Sequence, residues 1–455
     1  MKVVIVGGGK VGELLCADFS DIFQEVTIID TNELRVEKLV EAYDINGILG
    51  NGANYEVLTR ADSAKADMFI SVTASDEINM ICCIAAKQMG AKYTIARIRN
   101  PEYSKTKEFL RESLGIDLMV NPEYEAAKQI SHMLKYPTAT KVESFFGGKF
   151  NILEVIINKN SILNGISLID SKKIIDFPSL VCLVERKGEV FVPRGNYIFN
   201  VGDKVHITAA NKNLKKFYKL LGNKDNLEKK ITSSLVIGGG KIAHYLVEFL
   251  QIANFYIKVI EIDKNKAISL SESFPDIDVI WADGSDRDTL IEEGIQAFDS
   301  CISLTGFDEE NIITSMFLDR VGVHKNITKV NRTSLLEIIH APDFSSIITP
   351  KSIAVDTIMH FIRGRVNAQY SDLQAMHHLA NGQIETLQFQ IKEANKMTAK
   401  PLSQLKLKKG VLIAAIIRKG KTIFPTGEDT LKVGDQLLVT TLLPNITKIY
   451  DLIER

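Results

Sequence analysis

The sequence predicts an α/β protein made twice over: a domain with a doubly wound parallel sheet, then a small α+β lobe, then both again. Three observations carry this. A glycine-rich loop, KVVIVGGGKVG from Lys2, has a near copy in SLVIGGGKIA from Ser234. Strand-sized apolar runs alternate with helical stretches before each lobe, the rhythm of a parallel sheet covered by helices on both faces. Beyond each such region the pattern changes to short alternating strands joined by tight turns, which reads as hairpins rather than crossovers.

The elements follow in order. Val3–Val6 (VVIV) is wholly apolar, as a parallel strand buried on both faces requires. Helical residues start at Lys10. Then come the strand VTIID ending at Asp30, a helix over 34–42, the strand GILG from Gly47, a short helix near Tyr55, the strand MFISV from Met68, a helix over 77–89 and the strand TIARI from Thr94. A sixth strand, LMVN, stops at Pro122, where a new helix can begin because proline's missing N–H costs nothing in a first helical turn. After about Thr138 the lobe follows, with FNILEVII, then VCLVERKGEVFV folded at Lys187–Gly188, then KVHIT. The lysine-rich segment from Asn211 to Lys230 reads as a solvated helix and linker. The expected domains are 1–137 and 232–366 for the two parallel-sheet regions, 138–221 and 367–455 for the two lobes, with 222–231 as linker.

Register confirms the duplication within the sequence itself. Gly7, Gly9 and Gly12 correspond to Gly238, Gly240 and Ala243, and Asp30 to Glu261, all at an offset of 231. One residue later, NGANYEVL from Asn51 matches DGSDRDTL from Asp283, and FISVTASDEINM from Phe69 matches CISLTGFDEENI from Cys301, at 232. VPRGNYIFNVGDKVHIT from Val192 matches FPTGEDTLKVGDQLLVT from Phe424, still at 232. Separate domains that merely shared a loop motif would not keep this spacing into a second region.

Composition narrows the function classes. Net charge is −1, with 24% charged and 45% hydrophobic residues, so nothing in the balance points to nucleic acid. The longest apolar runs, such as VLIAAII from Val411, are strand-sized and fall short of the ~20 residues that span a bilayer. The chain enters a strand directly from Met1, which reads as no secretory leader. Five cysteines without a CxxC read as reduced core thiols. A cytoplasmic protein, touching a membrane only through a partner, is expected.

The glycine loops carry the chemistry. GGGKVG follows a strand and opens a helix, the context of a dinucleotide fingerprint. Gly7 permits the tight turn, Gly9 leaves room for a pyrophosphate beside the backbone, and Gly12 lets helix and strand pack closely. The phosphates would meet free N–H groups and the positive end of the helix dipole. Asp30 stands 18 residues beyond Gly12, near the spacing of a carboxylate that bonds a ribose diol and repels a 2′-phosphate. NAD(H) or an adenine nucleotide (ATP or ADP) is therefore expected over NADP. The candidate residues of the first site are Gly7, Gly8, Gly9, Lys10, Val11, Gly12, Asp30, Asn51, Thr73, Ala74 and Arg97. Those of the second are Gly238, Gly239, Gly240, Lys241, Ile242, Glu261, Asp283 and Thr305, with Asp263 open as an alternative acid or a helix cap. Thr73, Ser75 and Asp76 also read as caps. Arg97, a phosphate fork with Lys329 as counterpart, competes for that role with Arg99.

Together these segments resemble the TrkA family, regulatory subunits of prokaryotic Trk potassium-uptake systems, over essentially the whole chain. GGGKVG, VTIIDTN, VTASDEINM and IARIRNPEY are similar to its nucleotide-binding repeat, the RCK or KTN domain, and the lobes with P-x-G…GD resemble RCK C-terminal domains. In the second repeat Ala243, TGFDEENI and ITKVNR depart from the pattern. The resemblance implies a homo-oligomeric ring beneath a membrane-embedded, K⁺-conducting partner, gated by nucleotide without catalysis. The helices from Pro122 and Pro350 are the expected hinges. In the second of them, Ala354, Ile358 and Phe361 form an apolar stripe. A stand-alone nucleotide sensor and an NAD-dependent dehydrogenase are the alternatives. The dehydrogenase needs a general acid/base beside the nicotinamide, yet no histidine recurs between the halves. His206 has Leu438 as counterpart, and His132, His244, His324, His340 and His360 read as packing or surface residues.

Overall fold

The structure is a computed structural model that describes residues 1–20, 22–136, 141–146, 150–210, 231–332, 346–368, 373–379, 384–443 and 448–454, with 213, 216, 334, 335 and 446. Most of the lysine-rich linker and His340 lie outside the described residues.

The first parallel sheet holds β1 (Lys2–Val6), β2 (Glu25–Asp30), β3 (Asn46–Leu49), β4 (Met68–Ser71), β5 (Tyr93–Arg97) and β6 (Leu118–Val120) in the order β3-β2-β1-β4-β5-β6. Val3, Val4 and Ile5 are fully buried because helices cover both faces, which is why this strand does not alternate. Order reverses between β1 and β4, the switch point at whose carboxyl ends open α/β sheets bind ligands.

The first lobe is an antiparallel sheet of β7 (Lys141–Phe145), β8 (Phe150–Ile156), β9 (Ser179–Arg186), β10 (Glu189–Phe191) and β11 (Lys204–Ala209), ordered β10-β9-β11-β8-β7. The β9–β10 turn uses Lys187 and Gly188, both at positive φ, the conformation a two-residue hairpin demands.

Both sheets recur. β12 (Ser233–Ile237), β13 (Tyr256–Glu261), β14 (Asp278–Trp281), β15 (Ser300–Ser303), β16 (Lys325–Lys329) and β17 (Ile347–Ile348) form the second parallel sheet, ordered β14-β13-β12-β15-β16-β17. β18 (Leu373–Leu379), β19 (Ile384–Gln390), β20 (Val411–Arg418), β21 (Lys421–Ile423) and β22 (Gln436–Thr441) repeat the lobe, ordered β18-β19-β22-β20-β21. The Gly-Asp pair of each lobe has a structural role. Asp203, buried, takes both prongs of the Arg186 guanidinium at 2.7 Å, and Asp435 takes those of Arg418 at 2.8 Å.

The chain forms two compact units that do not follow sequence order. One joins residues 1–131 with 232–359, so it contains both parallel sheets, and the other joins 132–231 with 360–455, both lobes. In the first unit the hydroxyl of Tyr245 accepts from Asn121 Nδ2 at 2.8 Å and donates to the Arg99 carbonyl at 3.2 Å, while Tyr124 packs edge-on against its ring. In the second, Phe145, Phe150, Cys182 and Leu183 share one core with Ile384, Ala414, Ala415 and Leu438. The helices Pro122–Lys135 and Pro350–Ala368 carry the chain from the first unit to the second.

Candidate functional site

Each glycine loop is fixed by its backbone before any ligand arrives. Gly7 has φ +103°, and a Cβ there would come 2.9 Å from the Thr73 amide nitrogen. Gly238 repeats this at φ +99°, with the Thr305 nitrogen 3.1 Å away. Side chains rarely adopt this left-handed region, so glycine is required twice over. A Cβ on Gly12 would collide with the Gly7 carbonyl oxygen, so the helix Lys10–Ser20 sits directly on the turn. At Gly9 and Gly240 the space is open: a Cβ would meet nothing within 4 Å.

The acid of the second strand ties the loop down. Asp30, 8% exposed, accepts from the Gly8 amide at 2.6 Å and the Asn32 amide at 2.8 Å. Glu261 accepts from the Gly239 amide at 2.5 Å and the Asp263 amide at 2.8 Å. Glu261 therefore occupies the place of Asp30, while Asp263 caps the next helix, accepting from the Asn265 and Lys266 amides. The end of the third strand is drawn in as well, by Gly50 N–H to the Asp30 carbonyl at 2.9 Å and Ala282 N–H to the Glu261 carbonyl at 3.2 Å. Asn51 and Asp283 stand exposed beyond it, each accepting a local backbone bond, from Ala53 and Ser285.

Opposite the loops, Thr73 and Thr305 are held by asparagines that the sequence reading did not single out. Asn79 accepts from the amide and hydroxyl of Thr73 at 2.8 and 2.7 Å and donates to the Arg97 carbonyl at 2.8 Å. Asn311 makes the same three bonds to Thr305 and the Lys329 carbonyl. Both are fully buried. The available signal was their shared place in the repeat, SDEIN against FDEEN. Ser75 caps its helix by accepting from the Ile78 amide at 3.2 Å, and Asp76 accepts from the Arg99 and Asn100 amides. Val11 and Ile242 are buried under their loops.

Arg97 is brought to a different neighbour from the one its sequence position suggests. Together with Arg99 and Glu123 it lines a cavity of about 250 Å³ whose other wall is the second half: the loop residues from Gly240 on, with Lys241, Lys329 and Lys351. Arg97 and Arg99 approach the single carboxylate Glu123 at only 3.5 and 3.7 Å. Ala74 gives its carbonyl to Arg99 Nη2 at 2.9 Å. Burial pushes the Lys351 ammonium down to about 8, helped by the adjacent Lys10, and it lowers Lys329 too. Burial lowers Arg97 against the attraction of Glu123. Five cations against one acid, beside a helix amino terminus, make a place for anionic oxygens.

Among the described residues there is no group of three or more His, Cys, Asp or Glu that could hold a metal, and no helix long and apolar enough to cross a membrane. All five cysteines are buried, and burial pushes the Cys82 thiol up to about 11. His206 is buried on its lobe sheet, 3.5 Å from Glu154.

Comparison with known proteins gives the family of both domain types. The TrkA-N domain family matches residues 3–122 and 234–350, and the TrkA-C domain family matches 152–222 and 387–454. The chain is 29% identical over 450 residues to Trk system potassium uptake protein TrkA homolog 1 of Methanosarcina mazei, covering 97% of each. It is 28% identical over 456 residues to Trk system potassium uptake protein TrkA of Haemophilus influenzae, covering 96% of this chain and 95% of the relative. Among solved structures, the GsuK RCK domain superposes with a TM-score of 0.64 at 16% identity over 96% of this chain and 92% of that one. The GsuK channel bound to NAD gives 0.64 at 16% identity over 97% and 76%. At that identity the likeness is one of fold.

Proposed function

Since the chain belongs to the TrkA family and carries both of its domain types twice, we propose that it is the nucleotide-sensing regulatory subunit of a potassium-uptake system. Each cradle takes NAD(H) or an adenine nucleotide such as ATP or ADP. The observation that carries this is the carboxylate beside each loop, placed at the carboxyl end of the second strand with a free face of backbone at Gly9 and Gly240. A diphosphate there meets unpaired N–H groups and the helix dipole, and the ribose diol meets the acid. The role is regulatory rather than catalytic.

The link to a gate runs through the cationic cavity. Glu123 and Lys351, which line it, are the second residues of the helices Pro122–Lys135 and Pro350–Ala368. Phosphates reaching Arg97, Arg99 and Lys241 alter the first turns of both helices, and these helices lead into the unit of the lobes. A ligand shifts such an equilibrium only by its differential affinity for the two states, and moving it from 1:99 to 99:1 takes about 5.5 kcal/mol. Several cradles in a ring of chains, on the cytoplasmic side of a membrane-embedded K⁺-conducting partner, would sum smaller preferences. NAD in one neighbour, the GsuK channel, is consistent with this ligand class.

The test is direct. Mass spectrometry of nucleotides carried by the purified protein, followed by calorimetry, is expected to find NAD(H) or an adenine nucleotide binding in a manner dependent on Asp30. Saturating titrations of NADH, ATP and ADP that give no heat and no retained ligand would defeat the proposal.

A further inference from the structure

Beside the second cradle lies an apolar shelf without an equal in the first. The chain has one tryptophan, Trp281, the last residue of β14, and it pairs in register with Glu261. In-register residues of parallel strands point to the same face, so indole and carboxylate emerge together at the carboxyl end of the sheet. The indole is 59% exposed, yet it is held: its N–H donates to the Ile262 carbonyl at 3.0 Å, and the Lys264 ammonium stands 4.8 Å from the ring centre. Ile262, the residue after Glu261, is 65% exposed. The first half has Leu49 and Thr31 at these places. Tryptophan usually buries most of its large ring, so an oriented indole left in water next to an exposed isoleucine is a surface made for a cover.

Position selects what covers it. A nucleotide whose ribose sits on Glu261 has its base one glycosidic bond away, over the residues that flank the acid. From this geometry we propose that Trp281 and Ile262 form the base-stacking platform of the second cradle, and that the cradle takes a purine nucleotide gripped through its base. The proposal rests on the nucleotide reading of that cradle. It gives one side-chain difference between the halves a role: where the third glycine of the loop is Ala243, the base side carries an aromatic face that the first cradle lacks. Base–aromatic stacking is sequence-tolerant and strong enough to be worth about tenfold or more in affinity.

A single tryptophan makes the test specific. Full-length protein is titrated with ADP and, separately, with ribose 5-phosphate, following tryptophan emission and heat. ADP is expected to quench the emission saturably and ribose 5-phosphate to leave it unchanged. Glu261→Gln should remove the quench, and Asp30→Ala should leave it. By calorimetry Trp281→Ala should weaken the Glu261-dependent site about tenfold, with Trp281→Phe restoring most of the loss. Glu261-dependent binding with unmoved emission and unchanged affinity in Trp281→Ala would overturn the platform and spare the cradle. No Glu261-dependent binding at all would overturn both.

Discussion

At Gly7 and Gly238 the chain makes nearly the same turn, and in each half a carboxylate reaches back to the next amide of the loop. Around these matching backbones the side chains part company. Asp30 becomes Glu261, Gly12 becomes Ala243, Ser75 becomes Phe307, Arg97 becomes Lys329 and Arg99 becomes Asn331. What persists is what shapes the loop: the left-handed glycine, the acid-to-amide bond, and the buried asparagine under the threonine. What varies includes exposed Phe307 and the cavity-lining Lys329 and Asn331, where a ligand would touch. One scaffold has thus been kept twice while its contact surface was free to diverge, so the two cradles should share their stability determinants and differ in their ligand preferences.

The buried asparagines give the largest expected effect and the sharpest test of sameness. Asn79→Ala and Asn311→Ala each strand a threonine amide and a strand carbonyl, at a cost on the order of 2–4 kcal/mol, equal in the two halves; urea melts of the variants measure this. The acids come next. Asp30→Ala and Glu261→Ala should each weaken nucleotide binding at their own site by about 1.5–3 kcal/mol, and unchanged affinity by calorimetry would break the equivalence of the two carboxylates. The third glycine should break the symmetry. Gly12→Ala forces a Cβ onto the Gly7 carbonyl and costs about 1–3 kcal/mol, whereas Ala243→Gly, in a helix that already accommodates the methyl, costs only about 0.5–1 kcal/mol. Differential scanning calorimetry separates these.

The smallest effect is one of pH. With its folded value lowered to about 8 from 10.5, Lys351 destabilises the fold below pH 8, and that cost is relieved as pH rises from about 8 towards 10.5. Anion binding runs the other way, because the cavity loses a positive charge over the same range. Affinity for a triphosphate nucleotide should fall as pH rises through about 8, and Lys351→Met should flatten that slope; a slope unaltered in the variant would remove Lys351 from the site.

Much of this was legible in the chain. The apolar run Val3–Val6, the glycine spacing and Asp30 at the end of β2 each follow from local chemistry, and all lie within one βαβ unit. The offset of the repeat then carried the same reading to Glu261. Three features were not legible. The offset favours Glu261 but leaves Asp263, two residues on, as an alternative, and the loop amide's position decides for Glu261. Arg97 faces the loop of the other half, and such a pairing depends on how two parallel sheets dock, which no spacing within either half encodes. Asn79 is a third: a lone asparagine in a helix reads as surface, although this side chain is fully buried.

The cationic cavity has a consequence for evolution. In a dimer of identical chains, a residue on the rotation axis meets its own copy, so acid faces acid and base faces base. Here the residue after the helix-opening proline is Glu123 in one half and Lys351 in the other, and both line the same cavity. Because both copies lie in one polypeptide, that position is free of self-complementarity, and it carries opposite charges where a dimer of identical chains would have to repeat one.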